Sequence, residues 1–142
     1  MKLPAKVEYA AKAMVELSKF SSIGKPVAVE AIAAAQKIPR KFLLQILLRL
    51  GQSGLVKSVR GSGGGYQLAR HPSQITLLEV IRGIDNSFVN SKGDPWGTGQ
   101  NSADYVLQSI WADVNKQTEA RLNVSLEDLV LALQDVPITY EI

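Results

Sequence analysis

Residues 59–70, VRGSGGGYQLAR, set four glycines and a serine between an arginine and a tyrosine. A loop of this composition suggests phosphate chemistry, because closely approached backbone N–H groups can cradle an anion. A mononucleotide loop of that kind continues into Gly-Lys-Ser/Thr, which is absent from the segment. A dinucleotide-binding turn needs a third glycine where Tyr66 stands, and a helix after it. Strand-like YQLA follows instead, so both nucleotide readings fail and the tip of a hairpin remains. Other chemistry is poorly supplied. The chain has no cysteine, which excludes disulfides, thiolate metal sites and thiol catalysis. His71 is the single histidine. Asp94, Asp104 and Asp113 fit turns and solvated helix surface better than an acid–base pair. No enzyme, metal site or cofactor is expected.

The charge is more informative. Of 142 residues with a net charge of +3, residues 1–75 carry 12 Lys/Arg and three Glu, a balance of +9. Residues 76–142 carry four Lys/Arg and ten Asp/Glu, a balance of −6. Between Ala31 and Leu78 there is no carboxylate, while Lys37, Arg40, Lys41, Arg49, Lys57, Arg60 and Arg70 all lie there. Such a one-sided block points to a polyanion, most often nucleic acid. The bland alternative is a solvated basic face. Hydrophobic residues make up 46%, enough for a core. No apolar run reaches the length of a membrane span, and MKLPAKVEYAAKAM mixes charge through the place where a signal peptide needs an apolar core. A soluble, cytoplasmic protein without membrane association is expected.

Outward from the loop, periodicity supplies the elements that must hold it. In AKVEYAAKAMVELSKF, Ala10, Ala13, Met14, Leu17 and Phe20 share one helical stripe. AVEAIAAAQ suits a short second helix whose alanines allow close packing. The third helix begins at Pro39, and Leu43, Ile46, Leu47 and Leu50 follow i, i+3, i+4, i+7 spacing toward a core; Gly51 or Gly54 ends it. LVKSVR and GYQLA pair across the glycines as a two-stranded hairpin. The fold class is therefore mainly α with a small β wing: a winged helix-turn-helix over residues 1–75, with recognition helix 39–50 and wing 55–69. ITLLEVIRGI reads as a further helix, with Thr76 and Glu79 at capping-box spacing. Residues 86–101 read as a long loop. Residues 102–122 form a long helix capped by Ser102, and a short one starts at Ser125. The second part, 76–142, thus holds a linker helix, the loop and this C-terminal pair.

The face of the third helix opposite its core carries Lys41, Gln45 and Gln52, with Arg49 near the border. Arg40 and Lys41 lie in the first turn, where recognition helices meet base edges. Gln pairs with adenine and Lys or Arg with guanine or phosphate. Leu44 and Leu48 share that face; Leu44 suits a thymine methyl, or one or both leucines pack against something else. Arg60 is placed to enter a narrow minor groove, or is merely solvated on a mobile hairpin. On helix 102–122, Val106, Leu107, Ile110, Trp111, Val114 and Leu122 make an apolar stripe that a small winged domain does not cover. A second copy of the chain is the simplest cover.

The segment IPRKFLLQILLRLGQSGLVKSVRGSGGGYQLAR, residues 38–70, resembles the signature of the IscR-type, or Rrf2, family of bacterial transcription regulators. KVEYAAKAMVELSKF, AVEAIAAAQKIP, ITLLEVIRGID and IWADVNKQTEARLNVSLEDLV resemble the other helices, so the likeness spans nearly the whole chain. The resemblance implies a homodimeric winged-helix repressor or activator on a near-palindromic duplex. It places the helix from Pro39 in the major groove, Arg60-Gly61 in the minor groove, and Lys41 and Gln45 at base-reading positions. Leu44 and Leu48 depart from the polar residues common there, which touches the operator sequence rather than DNA binding. Cluster-binding members carry three cysteines between the wing helix and the dimerisation helix; here that stretch has none, so a thiolate-ligated iron–sulfur cluster is excluded. The expectation is an unclustered regulator answering to a small molecule, a protein partner or nothing. Two rivals stay open: a protein-interaction module that has lost DNA binding, and a non-specific nucleoid or RNA-binding protein.

Overall fold

The structure, a computed structural model, describes residues 2–89 and 101–137. Helix α1 spans Ala5–Lys19, α2 Val29–Gln36 and α3 Arg40–Gln52; strands β1 (Val56–Val59) and β2 (Gly65–Leu68) follow. Then come α4 (Leu77–Ile84), a helical turn α5 (Asn86–Val89), α6 (Ser102–Leu122) and α7 (Leu126–Leu133). The expected loop 86–101 thus opens with a turn of helix, and its residues 90–100 lie outside the described residues.

The periodic residues fall where their spacing puts them. Val7, Ala10, Ala13, Met14 and Leu17 of α1 are buried, and so are Leu43, Ile46, Leu47 and Leu50 of α3. Each fully buried leucine contributes about 1.5–3 kcal/mol relative to an exposed one. The same cluster takes in Leu78, Val80, Ile81 and Ile84 of α4 and Leu126 of α7. Two expectations are corrected. Phe20 caps the end of α1 and is 39% exposed rather than buried with the rest of the stripe. In α2 only Ile32 is buried, and Ala31, Ala34 and Ala35 face outward.

The ends obey capping chemistry. α3 runs through Gly51, and Gly54, at φ +77°, takes the left-handed position that follows its end. Pro39 occupies the cap position just ahead of α3 rather than its first turn. The Thr76 hydroxyl accepts the Glu79 N–H at 3.1 Å, but the Glu79 carboxylate does not reach back to close the box; it accepts from Arg70. α6 is capped by Asn101, whose Oδ1 accepts the Asp104 N–H at 3.0 Å, and not by Ser102. Asn and Ser serve equally well at that position, and here the helix begins one residue earlier than the serine would allow. Ser125 caps α7 as expected, accepting the Asp128 N–H at 3.0 Å.

The strands pair antiparallel, from Val56 opposite Leu68 to Val59 opposite Gly65. The chain before α2 joins them: Val27 N–H donates to the Tyr66 carbonyl at 2.8 Å, and Tyr66 N–H to the Val27 carbonyl at 2.9 Å. This one-residue bridge stitches the wing to the helix-turn-helix. A second stitch joins α4 to α7, through Leu77 N–H to Val124 O and Leu126 N–H to Ile75 O, each 2.9 Å. α6 stands apart. It buries no residue, and Arg82 of α4 reaches Glu119 of α6 at 3.2 Å. No described helix is long and apolar enough to cross a membrane.

Candidate nucleic-acid interface

The turn between α2 and α3 is three residues long, Lys37-Ile38-Pro39. Lys37 sits at φ +54° and closes α2, while Ile38 is buried and its N–H donates to Ala33 O at 3.0 Å. A lysine in the left-handed region is uncommon, and sequence periodicity alone did not single out Lys37. Its side chain is exposed beside the start of α3.

Burial of Leu43, Ile46, Leu47 and Leu50 turns the opposite row of α3, Lys41, Gln45, Leu48 and Gln52, to solvent. Lys41 makes no hydrogen bond or ion pair among the described residues. Leu44 lies beside this row and is half-buried. Two arginines have internal partners. Arg40 Nε donates to Glu30 Oε1 at 3.1 Å, across the turn. Arg49, at the border of the row, donates from Nη2 to Ile84 O at 2.9 Å, the carbonyl end of α4. There a guanidinium satisfies an orphan carbonyl and the negative end of the helix dipole.

The strands of the wing lie beside α3. Gly61 has φ +101°, and a side chain there would meet nothing within 4 Å, so the turn leaves room for the exposed Arg60. Arg60 and Lys57 have no ion-pair partner among the described residues. Between α3 and the wing runs a groove of about 260 Å³ lined by Leu47, Leu48, Gln52, Ser58 and Tyr66 among others. Tyr66 is half-buried against the core, as a residue opening a strand should be.

On α6, Val106, Ile110 and Val114 are 54%, 57% and 41% exposed, Trp111 is 37% exposed and Leu107 is half-buried. Leu122, at the end of the expected stripe, packs against the core instead, while the rest is left largely open by the described residues.

Comparison with known proteins decides what this arrangement belongs to. The model of the Rrf2 family, described as an iron-dependent transcriptional regulator, matches residues 3–132. The chain belongs to the Rrf2 family. The HTH-type transcriptional regulator IscR of Klebsiella pneumoniae is 35% identical over 131 residues, covering 92% of this chain and 80% of IscR. The structure of T. potens IscR superposes with a TM-score of 0.77 at 30% identity, covering 99% of this chain and 96% of that one. CymR of B. subtilis, described as the global cysteine regulator, gives 0.79 at 26% identity over 93% and 98% of the two chains. This Rrf2 member is accordingly a DNA-binding transcription regulator and not an enzyme, with the winged-helix fold read from its sequence.

The iron chemistry in the family's description does not fit these residues. There is no cysteine to supply thiolates. The one histidine already uses Nδ1 to accept the Ser73 N–H at 3.1 Å. No three potential His, Cys, Asp or Glu ligands converge among the described residues.

Glu30 bears on the charge at the start of α3 in this Rrf2 chain. Its own backbone N–H, at the start of α2, and the Arg40 guanidinium hold its carboxyl below the usual carboxylate range. It therefore stays ionised at neutral pH and competes with any phosphate for Arg40. Glu30→Gln is expected to raise affinity for duplex DNA by roughly threefold at low salt, measured by fluorescence anisotropy. Weaker binding would mean that the carboxylate instead aims Arg40 at its target.

Proposed function

We propose that the chain works in the cytoplasm as a homodimer that binds a near-palindromic operator and sets the transcription of nearby genes without a cysteine-ligated cluster. Residues 1–75 serve the DNA and residues 76–142 the pairing of subunits. Lys41 and Gln45 meet base edges in the major groove, with Arg40 and the backbone around Pro39 near the phosphates. Arg60 enters the adjacent minor groove while Gly61 keeps its own path clear. Arg49 braces α3 against α4 and so sets the angle at which the row is offered. The observation that carries this reading is a solvent-facing row of Lys41 and Gln45 on α3 together with an exposed arginine on the wing, in a segment with no carboxylate from residue 31 to 78.

The test is binding of the purified chain to random and selected duplexes across a salt series. A steep loss of affinity with salt and protection of discrete sites are expected. Arg60→Ala should weaken binding to a selected site about tenfold, the scale of one well-placed arginine, and should lower the salt slope. Equal affinity for every duplex would favour a non-specific binder. No binding at low salt would end the reading.

A further inference from the structure

We propose that Leu48 reads thymine, through apolar contact with its C5-methyl group. This rests on α3 entering the major groove as set out above. Leu48 is 62% exposed. No other aliphatic side chain of comparable size among the described residues is as open to solvent. It lies in the middle of the outward row, between Gln45 and Gln52, and directly opposite buried Leu43, Ile46 and Leu50. Leu44, one turn earlier, is half-buried at the edge of the row and adds apolar surface on the same side.

A leucine there has few uses. The groove beside it is open, and its own chain leaves Leu48 uncovered. An exposed leucine in a row of polar residues gains nothing in the free protein. On DNA the balance changes. The base edges in the major groove present donors and acceptors, and beside the small C5–H of cytosine the one projecting apolar group is the thymine methyl. Deoxyribose carbons also offer apolar surface, but they line the walls of the groove, and a residue at the centre of the row faces its floor. Placed over cytosine, guanine or adenine edges, Leu48 would desolvate a donor or acceptor without replacing its bond. Leu48 therefore favours thymine and penalises the other bases. It stands three residues from Gln45, a rise of about 4.5 Å along α3, slightly more than one base-pair step of about 3.4 Å. The thymine should lie within one or two base pairs of the position that Gln45 reads.

The experiment uses the full chain and a duplex it selects from a random pool. Each thymine is replaced in turn by deoxyuridine, which keeps the Watson–Crick edge and removes only the methyl. At one symmetry-related position per half-site, binding should weaken about fourfold per methyl removed, and about sixteenfold with both half-sites changed. Leu48→Ala should bind the thymine and uracil duplexes equally, while Leu48→Met should keep the preference. A melting curve of each variant checks its fold; an exposed position should leave it unchanged. If no thymine is sensitive, or if Leu48→Ala retains the full sensitivity, Leu48 does not read the methyl, although the operator stands. If the chain selects no duplex, the major-groove reading fails and this one with it.

Discussion

Gly65→Ala is expected to lower the melting temperature by on the order of 10 °C and to strip the wing from the helix-turn-helix. A methyl group at residue 65 would sit 2.1 Å from the Val27 carbonyl oxygen and 2.8 Å from the Ala28 nitrogen. Both are backbone atoms, so no side chain can swing away to make room. The chain must instead part where Val27 and Tyr66 exchange their two hydrogen bonds. A buried backbone group left without a partner costs about 1–3 kcal/mol, and a domain of this size has only about 5–15 kcal/mol to lose. Gly51→Ala is the matched control. Gly51 lies in α3, and its nearest neighbouring atom would be 3.8 Å from the added methyl. There alanine should be neutral or should stabilise by up to about 1 kcal/mol. Calorimetry on the two variants reads the difference. Equal melting points would mean that the Val27 bridge does not hold the wing. Since Arg60 is carried on the same hairpin, Gly65→Ala should also weaken DNA binding at temperatures where the rest of the chain is still folded.

That bridge marks the boundary of what the sequence makes legible. The core row of α3 is readable because four apolar residues repeat at helical spacing, and their burial alone dictates which residues face out. The hairpin is readable because glycines punctuate two short runs of strand-forming residues. Val27 carries no such signal. Its contribution is made by backbone N–H and C=O, which every residue has, and its partner lies 39 positions away. The glycine at 65 is the only trace it leaves, and a glycine there suits a plain hairpin turn just as well. Arg40 and Arg49 are opaque for a related reason. Both are long cations on α3, and nothing in the sequence marks either as engaged within the fold. Their differing duties come from Glu30 on α2 and from the free carbonyl of Ile84 at the end of α4. An absence of carboxylates between residues 31 and 78 describes the field correctly, yet Glu30 sits one residue outside that window and reaches in. Capping shows the same limit on a smaller scale: Asn101 and Ser102 are both competent, and the helix takes the first.

Ile110→Asp is expected to separate the proposed dimer and, with it, tight operator binding. Ile110 is 57% exposed on α6, flanked by Val106 and Val114 on the same stripe. Two-fold symmetry would bring each copy's stripe against its mate, so one substitution plants two carboxylates in one apolar seam. Like charges brought together there cost several kcal/mol, enough to shift a dimer to monomers at micromolar concentration. The winged part should stay folded, because Ile110 itself is exposed in the single chain. Tyr105→Asp separates a specific effect from a general one. Tyr105 is 73% exposed but points away from the stripe, so this variant should keep the native mass. Sedimentation should show half the native mass for Ile110→Asp, with an unchanged circular dichroism spectrum. Operator affinity should fall by at least about 100-fold, since the second half-site no longer benefits from linkage to the first. Salt-dependent binding to arbitrary duplex should largely survive, because Lys41, Gln45 and Arg60 are untouched. Should Ile110→Asp retain the native mass, subunits must pair through another surface. Should it lose mass but keep full operator affinity, a single wing and recognition helix would suffice, and the near-palindrome would have no physical basis.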